Sequence, residues 1–564
     1  MLQKLFKNLY LNEAIRISRK TKLFNLKINF SLVIYYFVTF INTVLEGIGL
    51  ILIVSIFTGN QSLENSINDT FNVLMSYMGL DYNIQNLILL IIILFGIRLI
   101  TYGSILLYDG YIKIYFKRSI QEKLFKNSLS VDWEIMRRQQ VGNLANLNGE
   151  QSITAVKYFF SIIKTVYFFF TSLFLFLIIM LIDYKISLLL VISMLPIILI
   201  FQYFFSLQSK ASINFAQERN KFIADITERL NNFLSIKVDG SEDYHYKKGI
   251  ESQANQQKYE FRIAIYQALI GIFVILVPLI VFIEIYYLIS FDTKLNQQFL
   301  YIVSSVGIVG VRILTQVNGL IGNLANLSRI SGEIRLLDNA FKLKRGKAKT
   351  LIKDDIVEIK LQNIQYSVGS KKIIKDTSLL INKNKPLIIN GNSGSGKSTL
   401  ANIISGALTP TEGKVIYITS DNNSYQSNYF KIKSSYVTQD ISIFKGSIRE
   451  NLIHDNIEIS DESIYEVLDL INASDFVKNI GGLDASILES GKSISGGQKR
   501  RLGIAKALLS NHKLIIFDEI LAGLDIISQQ SIKDLLPIIA KNKLFIIISH
   551  DELEIKDSNV LFIK

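Results

Sequence analysis

Gly391-Asn392-Ser393-Gly394-Ser395-Gly396-Lys397-Ser398-Thr399 decides how the second half of this 564-residue chain is read. An apolar strand, Leu387-Ile388-Ile389-Asn390, runs straight into it, and a helix is expected from Ser398 onward. That strand–loop–helix setting is the one in which a glycine loop wraps phosphates. Gly391, Gly394 and Gly396 let the backbone N–H groups of the loop turn toward the anion, and the helix N-terminus adds a favourable potential. Lys397 is placed to reach the β- and γ-phosphates, and the Ser398 hydroxyl to ligate Mg²⁺. Asn392, Ser393, Ser395 and Thr399 complete the loop, and a bound nucleoside triphosphate is expected.

Two further apolar strands follow. Leu514-Ile515-Ile516-Phe517 ends in Asp518-Glu519, and Leu544-Phe545-Ile546-Ile547-Ile548 delivers His550. An Asp at the end of a buried strand is the expected second Mg²⁺ anchor, and the adjacent Glu can orient and deprotonate an attacking water. His550, expected on the same sheet edge, is read as a sensor of the γ-phosphate. Upstream, Val357, Ile359 and Leu361 alternate with Glu358, Lys360 and Gln362, the pattern of a half-buried strand.

The first half is of another kind. Six apolar stretches, near Phe30–Phe57, Leu87–Leu107, Phe160–Ile182, Ser187–Phe205, Ile265–Ile289 and Phe299–Ile321, each approach the roughly 20 residues a helix needs to cross a bilayer. Residues 1–27 carry seven basic side chains and one acid, Glu13, whereas no Lys or Arg lies between Lys27 and Arg98. The long segments after the second and fourth stretches are basic again, so both ends and both long loops are expected in the cytoplasm. The loops, about 108–159 and 206–264, read as polar helices that carry the spans into the cytoplasm. No compact apolar segment with a small-residue cleavage site opens the chain, and no removable leader is expected. The net charge of +13 is explained by this topology, and no nucleic-acid partner is expected. The chain has no cysteine, which excludes disulfides and thiolate chemistry, and its four histidines lack metal-pair spacing. Glu46, Arg98, Lys164, Glu284 and Arg312 fall inside spans, where an ionisable group must face protein, water or a partner. Arg98 and Arg312 are read as contacts for an anionic substrate, as helix locks, for example Glu46 with Arg98, or as side chains snorkelling to a bilayer face.

Taken in order, these motifs resemble the ATP-binding cassette (ABC) family in its exporter-type arrangement, six spans followed by one nucleotide domain. Ile494-Ser495-Gly496-Gly497-Gln498 is similar to the family signature, with Ile in place of the usual Leu. Residues 437–451 resemble the exporter Q-loop region, residues 131–143 and 227–242 resemble the two intracellular loops, and Glu489 resembles an acidic residue that touches them. The segment after Glu519 and the Asp551 that follows His550 depart from the usual exporter sequence.

The resemblance implies a multi-domain fold: an all-α transmembrane domain over 1–335, a linker over 336–356 and an α/β P-loop nucleotide-binding domain over 357–564. It implies ATP and Mg²⁺ as cofactors, Tyr366 stacked on adenine, Gln439 on Mg²⁺ and Asp525 as the D-loop aspartate. Ser495, Gly496, Gly497 and Gln498 would bind the ATP held by a second copy, so a homodimer is expected, with ATP hydrolysis driving transport. Val44–Leu50 and Val311–Asn318 faintly resemble flippases for lipid-linked oligosaccharides. Export of such an amphipathic lipid is the leading expectation, multidrug, lipid or peptide export the alternative, and an ATP-gated channel or regulator the reading from another class. The expected location is a bacterial inner membrane.

Overall fold

The computed structural model describes residues 10–58, 84–136, 144, 146–182, 184–291, 299–343, 349–453, 459–488, 494–510, 512–521, 526–550, 553, 555 and 558–563. It divides into two compact units, one of Met1–Val131 with Ile135–Lys344, the other of Asp132–Glu134 with Arg345–Lys564.

The first unit is helical. Each apolar stretch lies within one of six long helices among the described residues: Leu26–Thr58, Ile84–Ser130, Ser152–Ile182, Tyr184–Asn231, Glu242–Phe291 and Phe299–Lys342. Four regions, Leu26–Gly49, Ile84–Ser130, Leu147–Ile178 and Glu242–Leu276, are long and apolar enough over the described residues to cross a membrane. Several helices greatly exceed the bilayer. The 47 residues of Ile84–Ser130 extend about 70 Å at 1.5 Å per residue, against a hydrocarbon core of about 30 Å. The polar second half simply continues the helix, with Ile112, Phe116, Ile120 and Leu124 buried at helical spacing. Short helices, Trp133–Met136 and Phe233–Val238, stand at the tips of the two long loops. The remainder of the first loop motif, residues 137–143, lies outside the described residues, as does the side chain of Glu284.

The helix Phe299–Lys342 takes in the first part of the segment read as linker. The reason is tertiary: Leu337 and Phe341 are buried, and Asp338 accepts from Arg16 of the N-terminal helix Leu11–Thr21 at 2.8 Å and pairs with Lys342 at 2.6 Å. Close packing continues along this helix. A Cβ at Gly332 would lie 2.3 Å from the Ser212 carbonyl oxygen, so only glycine permits the approach.

Beyond the spans, Glu333 pairs with Arg219 at 2.9 Å, and Arg219 also pairs with Glu150 at 3.1 Å. Burial pushes the Glu333 carboxyl up to about 7; Arg219 pulls it down and Glu150 pushes it up. The folded chain therefore holds this proton more tightly than the unfolded chain does. The resulting stability is fully present below the ordinary carboxylate range and is lost as pH rises through about 7, by at most about 3 kcal/mol. Thermal melts should show wild type losing stability between pH 5 and 7.5 relative to Glu333→Gln. Parallel pH profiles would remove Glu333 as the cause.

The second unit carries a parallel five-stranded sheet in the order β13-β4-β12-β11-β8 (Asn559–Ile563, Leu387–Gly391, Leu544–Ser549, Leu514–Asp518, Ser434–Val437). Strands β11 and β12 are buried along their whole length, as expected of parallel strands covered on both faces. An antiparallel sheet, β3-β2-β5-β6 (Lys371–Asn382, Ile356–Val368, Glu412–Thr419, Ser424–Gln426), lies beside it, and two short pairs, β1-β7 (Thr350–Leu351, Phe430–Lys431) and β10-β9 (Ser486–Ile487, Gly446–Ser447), complete the strands of the described residues. The alternation read from Val357 is shifted by a register irregularity between Ile356 and Glu358. Ile356, Ile359, Leu361, Ile364 and Tyr366 point inward, while Val357 is half-buried.

Candidate functional site

Because β4, β12 and β11 are parallel neighbours, their C-terminal ends share one edge of the sheet. In open α/β sheets that edge is where ligands bind. The glycine loop leaves β4 there, Asp518 ends β11, and His550 follows β12.

The loop closes onto the helix Lys397–Ile404, capped by Gly396 at φ +103°, where a Cβ would come within 2.8 Å of Ile374. At Gly391 an added Cβ would lie 2.3 Å from the Ile563 carbonyl oxygen. Asn392, Ser393, Gly394 and Ser398 are exposed, so the loop is open to an anion, while Ser395 and Thr399 are half-buried. Lys397 is only 5% exposed and turns into the loop. Its Nζ donates to the carbonyl oxygens of Gly391 at 2.8 Å and Asn392 at 3.1 Å.

Lys397 Nζ also lies 3.3 Å from His550 Nδ1, and His550 Nε2 lies 2.6 Å from Glu519 Oε1. A neutral imidazole protonated at Nε2 satisfies both contacts, donating to the carboxylate and accepting from the ammonium. The loop lysine, the histidine and the glutamate thus form one chain of polar contacts across three strand ends. Glu519 holds φ +55°, a left-handed conformation uncommon for a side-chain-bearing residue and typical of functional turns. Its backbone N–H donates to the Ile548 carbonyl at 3.1 Å, which holds the turn against β12.

Asp518 is buried, and the Tyr436 hydroxyl donates to its Oδ2 at 2.9 Å. Tyr436 is on β8, paired in register with Ile516 of β11. This aromatic escaped the sequence reading; its signal was position, three residues before Gln439 on a strand destined to flank the Asp518 strand. Gln439 itself is exposed just past the end of β8.

Tyr366 does not stand where an adenine stack needs it. It is 2% exposed and packs in the core with Ile364, Ile374, Leu400 and Ile404. The bulges in β2 put it in phase with the inward positions, so its ring has no open face. The half-buried side chains nearer the loop, Val368 and Ile373, are aliphatic.

Ser495 caps the helix Gly496–Leu509. Gln498 N–H donates to its Oγ at 3.2 Å, and Ser495 N–H donates back to Gln498 Oε1 at 2.8 Å. This reciprocal pair fixes an exposed helix N-terminus, with Ser495 and Gly496 facing solvent. Asp525 and Glu489 lie outside the described residues.

Comparison with known proteins agrees with this architecture. A profile of the ABC transporter transmembrane region matches residues 31–310, and an ABC transporter profile matches residues 374–522. An uncharacterized ABC transporter ATP-binding protein of Haemophilus influenzae is 34% identical over 216 residues, 38% of each chain. A putative multidrug export ATP-binding/permease protein of Staphylococcus aureus is 32% identical over 219 residues, again 38% of each. A putative export ATP-binding/permease protein of Rickettsia typhi is 27% identical over 389 residues, 66% of this chain and 65% of that one. The matched stretch therefore spans between about two fifths and two thirds of these relatives. The solved structure of a bacterial Atm1-family ABC exporter with ATP bound superposes with a TM-score of 0.70 over 95% of this chain and 92% of that one, at 17% identity.

A helical membrane region joined to a P-loop nucleotide domain defines an ATP-binding membrane protein. The chain belongs to the ABC transporters and carries the exporter fold.

Proposed function

We propose that this chain is one half of a homodimeric, ATP-driven exporter in a bacterial inner membrane, and that it flips an amphipathic lipid with an anionic head, a lipid-linked oligosaccharide. The catalytic reading rests on the contact chain Lys397–His550–Glu519. In it, Glu519 orients and deprotonates the attacking water, His550 holds the Glu519 carboxylate and faces the γ-phosphate, and Lys397 leaves its loop carbonyls for phosphate oxygens. The exposed N-terminus of the signature helix supports a second copy: the capping pair takes up the N–H groups of Ser495 and Gln498, and those of Gly496 and Gly497 remain for a phosphate held by the partner. Asp525, outside the described residues, is assigned there by resemblance.

The residues fit Mg²⁺. Ser398, Gln439 and Asp518 offer a hydroxyl, an amide carbonyl and a carboxylate, all hard oxygen donors. Tyr436 donates to Asp518 Oδ2 and so fixes the orientation of the carboxylate that would hold the ion. When bound, the ion would neutralise charge between the β- and γ-phosphates. Tyr436→Phe, which frees the Asp518 carboxylate to rotate, should raise the Mg²⁺ needed for half-maximal ATP hydrolysis about three- to tenfold with little effect on Mg²⁺-free nucleotide binding. An unchanged Mg²⁺ titration would remove this role.

The substrate reading rests on Arg98 and Arg312, which converge within the membrane on a single carboxylate, Glu46. The test is ATPase activity in nanodiscs with polyprenyl-pyrophosphate sugars, neutral lipids, peptides and hydrophobic drugs. Stimulation by the sugar lipids, lost in Arg98→Ala and Arg312→Ala, supports the reading. Stimulation by drugs alone would instead favour the multidrug export named for the Staphylococcus aureus relative.

A further inference from the structure

Glu46 is 6% exposed on the helix Leu26–Thr58. Its Oε2 accepts from Arg98 Nη2 at 3.0 Å, from the helix Ile84–Ser130, and its Oε1 contacts Arg312 Nε, from Phe299–Lys342. One carboxylate thus ties three helices. The depths agree: Glu46 is 12 residues from Thr58 (58 − 46), Arg98 is 14 from Ile84 (98 − 84), and Arg312 is 13 from Phe299 (312 − 299). At 1.5 Å per residue these are about 18–21 Å from the helix ends remote from the basic loops, well inside a hydrocarbon core of about 30 Å.

The group holds two positive charges and one negative. Polar groups one helical turn away are neutral: Asn42, four residues before Glu46, accepts from Thr101 at 3.1 Å, and Gln316, four after Arg312, accepts from Thr171 at 3.1 Å. Tyr102 and Tyr167, which interact with Arg98, are neutral phenols. The other described ion pair of these spans, Asp109 with Lys164 at 2.5 Å, balances itself, with Tyr35 donating to Asp109 at 2.9 Å. Glu284 lies seven residues from Phe291 (291 − 284), about 10 Å from that helix end against about 18–21 Å for the Glu46 group. Among the described residues, then, one positive charge stands uncompensated at the Glu46 group. Unpaired charge at such depth is costly and marks a ligand pathway. Guanidinium forks match phosphate oxygens as well as they match a carboxylate.

We infer that Glu46 is a resident stand-in for the anionic head of the transported lipid, holding Arg98 and Arg312 together and yielding guanidinium contacts to an incoming phosphate or pyrophosphate. The inference rests on the anionic-lipid reading above. It gives the exchange a mechanical result: the ligand releases the first helix from its tie to the second and sixth. It also sets a cost, because the observed affinity is reduced by the fraction of time Glu46 occupies the arginines.

The test is binding of radiolabelled geranylgeranyl pyrophosphate to the full chain in phosphatidylcholine nanodiscs, against geranylgeraniol and inorganic pyrophosphate. Glu46→Gln should bind the lipid pyrophosphate about tenfold tighter than wild type, with geranylgeraniol binding unchanged. The gain should vanish when Arg98→Gln and Arg312→Gln are added. Arginine-dependent binding in wild type that Glu46→Gln leaves equal or weaker would overturn the stand-in role and leave the substrate reading intact. No arginine-dependent binding in either protein would overturn both. Inorganic pyrophosphate binding as tightly as the lipid form would overturn the lipid-head assignment. If Glu46→Gln is not monodisperse, Glu46→Asp carries the test: one methylene shorter, it should bind several-fold tighter than wild type, and equality overturns the inference.

Discussion

Glu519→Gln should lower ATP turnover by about 10²- to 10⁴-fold, the usual contribution of a positioned general base, while ATP stays bound. The amide cannot take the proton of the attacking water, yet it is nearly the same size as the carboxylate. The left-handed turn at Glu519 and its N–H bond to Ile548 are backbone features and survive the change. The glycine loop is untouched, so nucleotide should be retained, and with it the closed pair of copies proposed above. Phosphate release and retention of labelled ATP on the same preparation check both halves. Turnover within threefold of wild type would take Glu519 out of the chemistry. His550→Ala provides the companion measurement, because His550 holds Glu519 at 2.6 Å. It should reduce turnover less than Glu519→Gln if its part is to position the carboxylate.

Lys397→Ala should act one step earlier and weaken ATP binding by about 100-fold. Two charge-assisted hydrogen bonds to phosphate oxygens are lost, each worth about 1.5–3 kcal/mol, with part of the loss made up by water in an open loop. The effect on folding should be small. The carbonyls that Lys397 now bonds, those of Gly391 and Asn392, belong to a loop open to solvent and can be hydrated. Lys397→Arg should not rescue binding, because the side chain is 5% exposed and its ammonium bonds two loop carbonyls, a geometry the bulkier planar guanidinium does not reproduce. Titration with a fluorescent ATP analogue, together with a melt of the nucleotide-free protein, separates the two effects. Wild-type affinity in Lys397→Ala would refute the assignment of the loop.

The two predictions draw on different kinds of information. Lys397 and its loop were readable from nine consecutive residues, because wrapping a phosphate is a local task for adjacent backbone groups. The placing of Glu519 and His550 on one edge was readable because each follows a largely apolar strand, and parallel strands deliver their ends to one edge. Tyr366 shows the limit of that approach. Its distance from Lys397 matched an expected spacing, but bulges in β2 reset the inward phase and put the ring in the core. Spacing along a chain does not report a one-residue shift in register, although such a shift exchanges the two faces of a strand. The helix that runs on to Lys342 was missed for a similar reason, since its last turns are held by Arg16, more than three hundred residues away.

What the sequence by itself determined is whatever a local pattern enforces. Six apolar stretches of bilayer length, the polar helices that continue them, the glycine loop and the acidic strand end all follow from side chains near in sequence. What only the tertiary structure decided is which distant groups share a partner. Arg98 and Arg312 both turn to Glu46, Tyr436 holds Asp518, and His550 bridges Lys397 and Glu519. The physical reason is that a buried charge or hydroxyl is satisfied by whatever packing brings within about 3 Å of it. That neighbour is set by how helices and strands assemble across tens to hundreds of residues, and no periodicity in the chain encodes it.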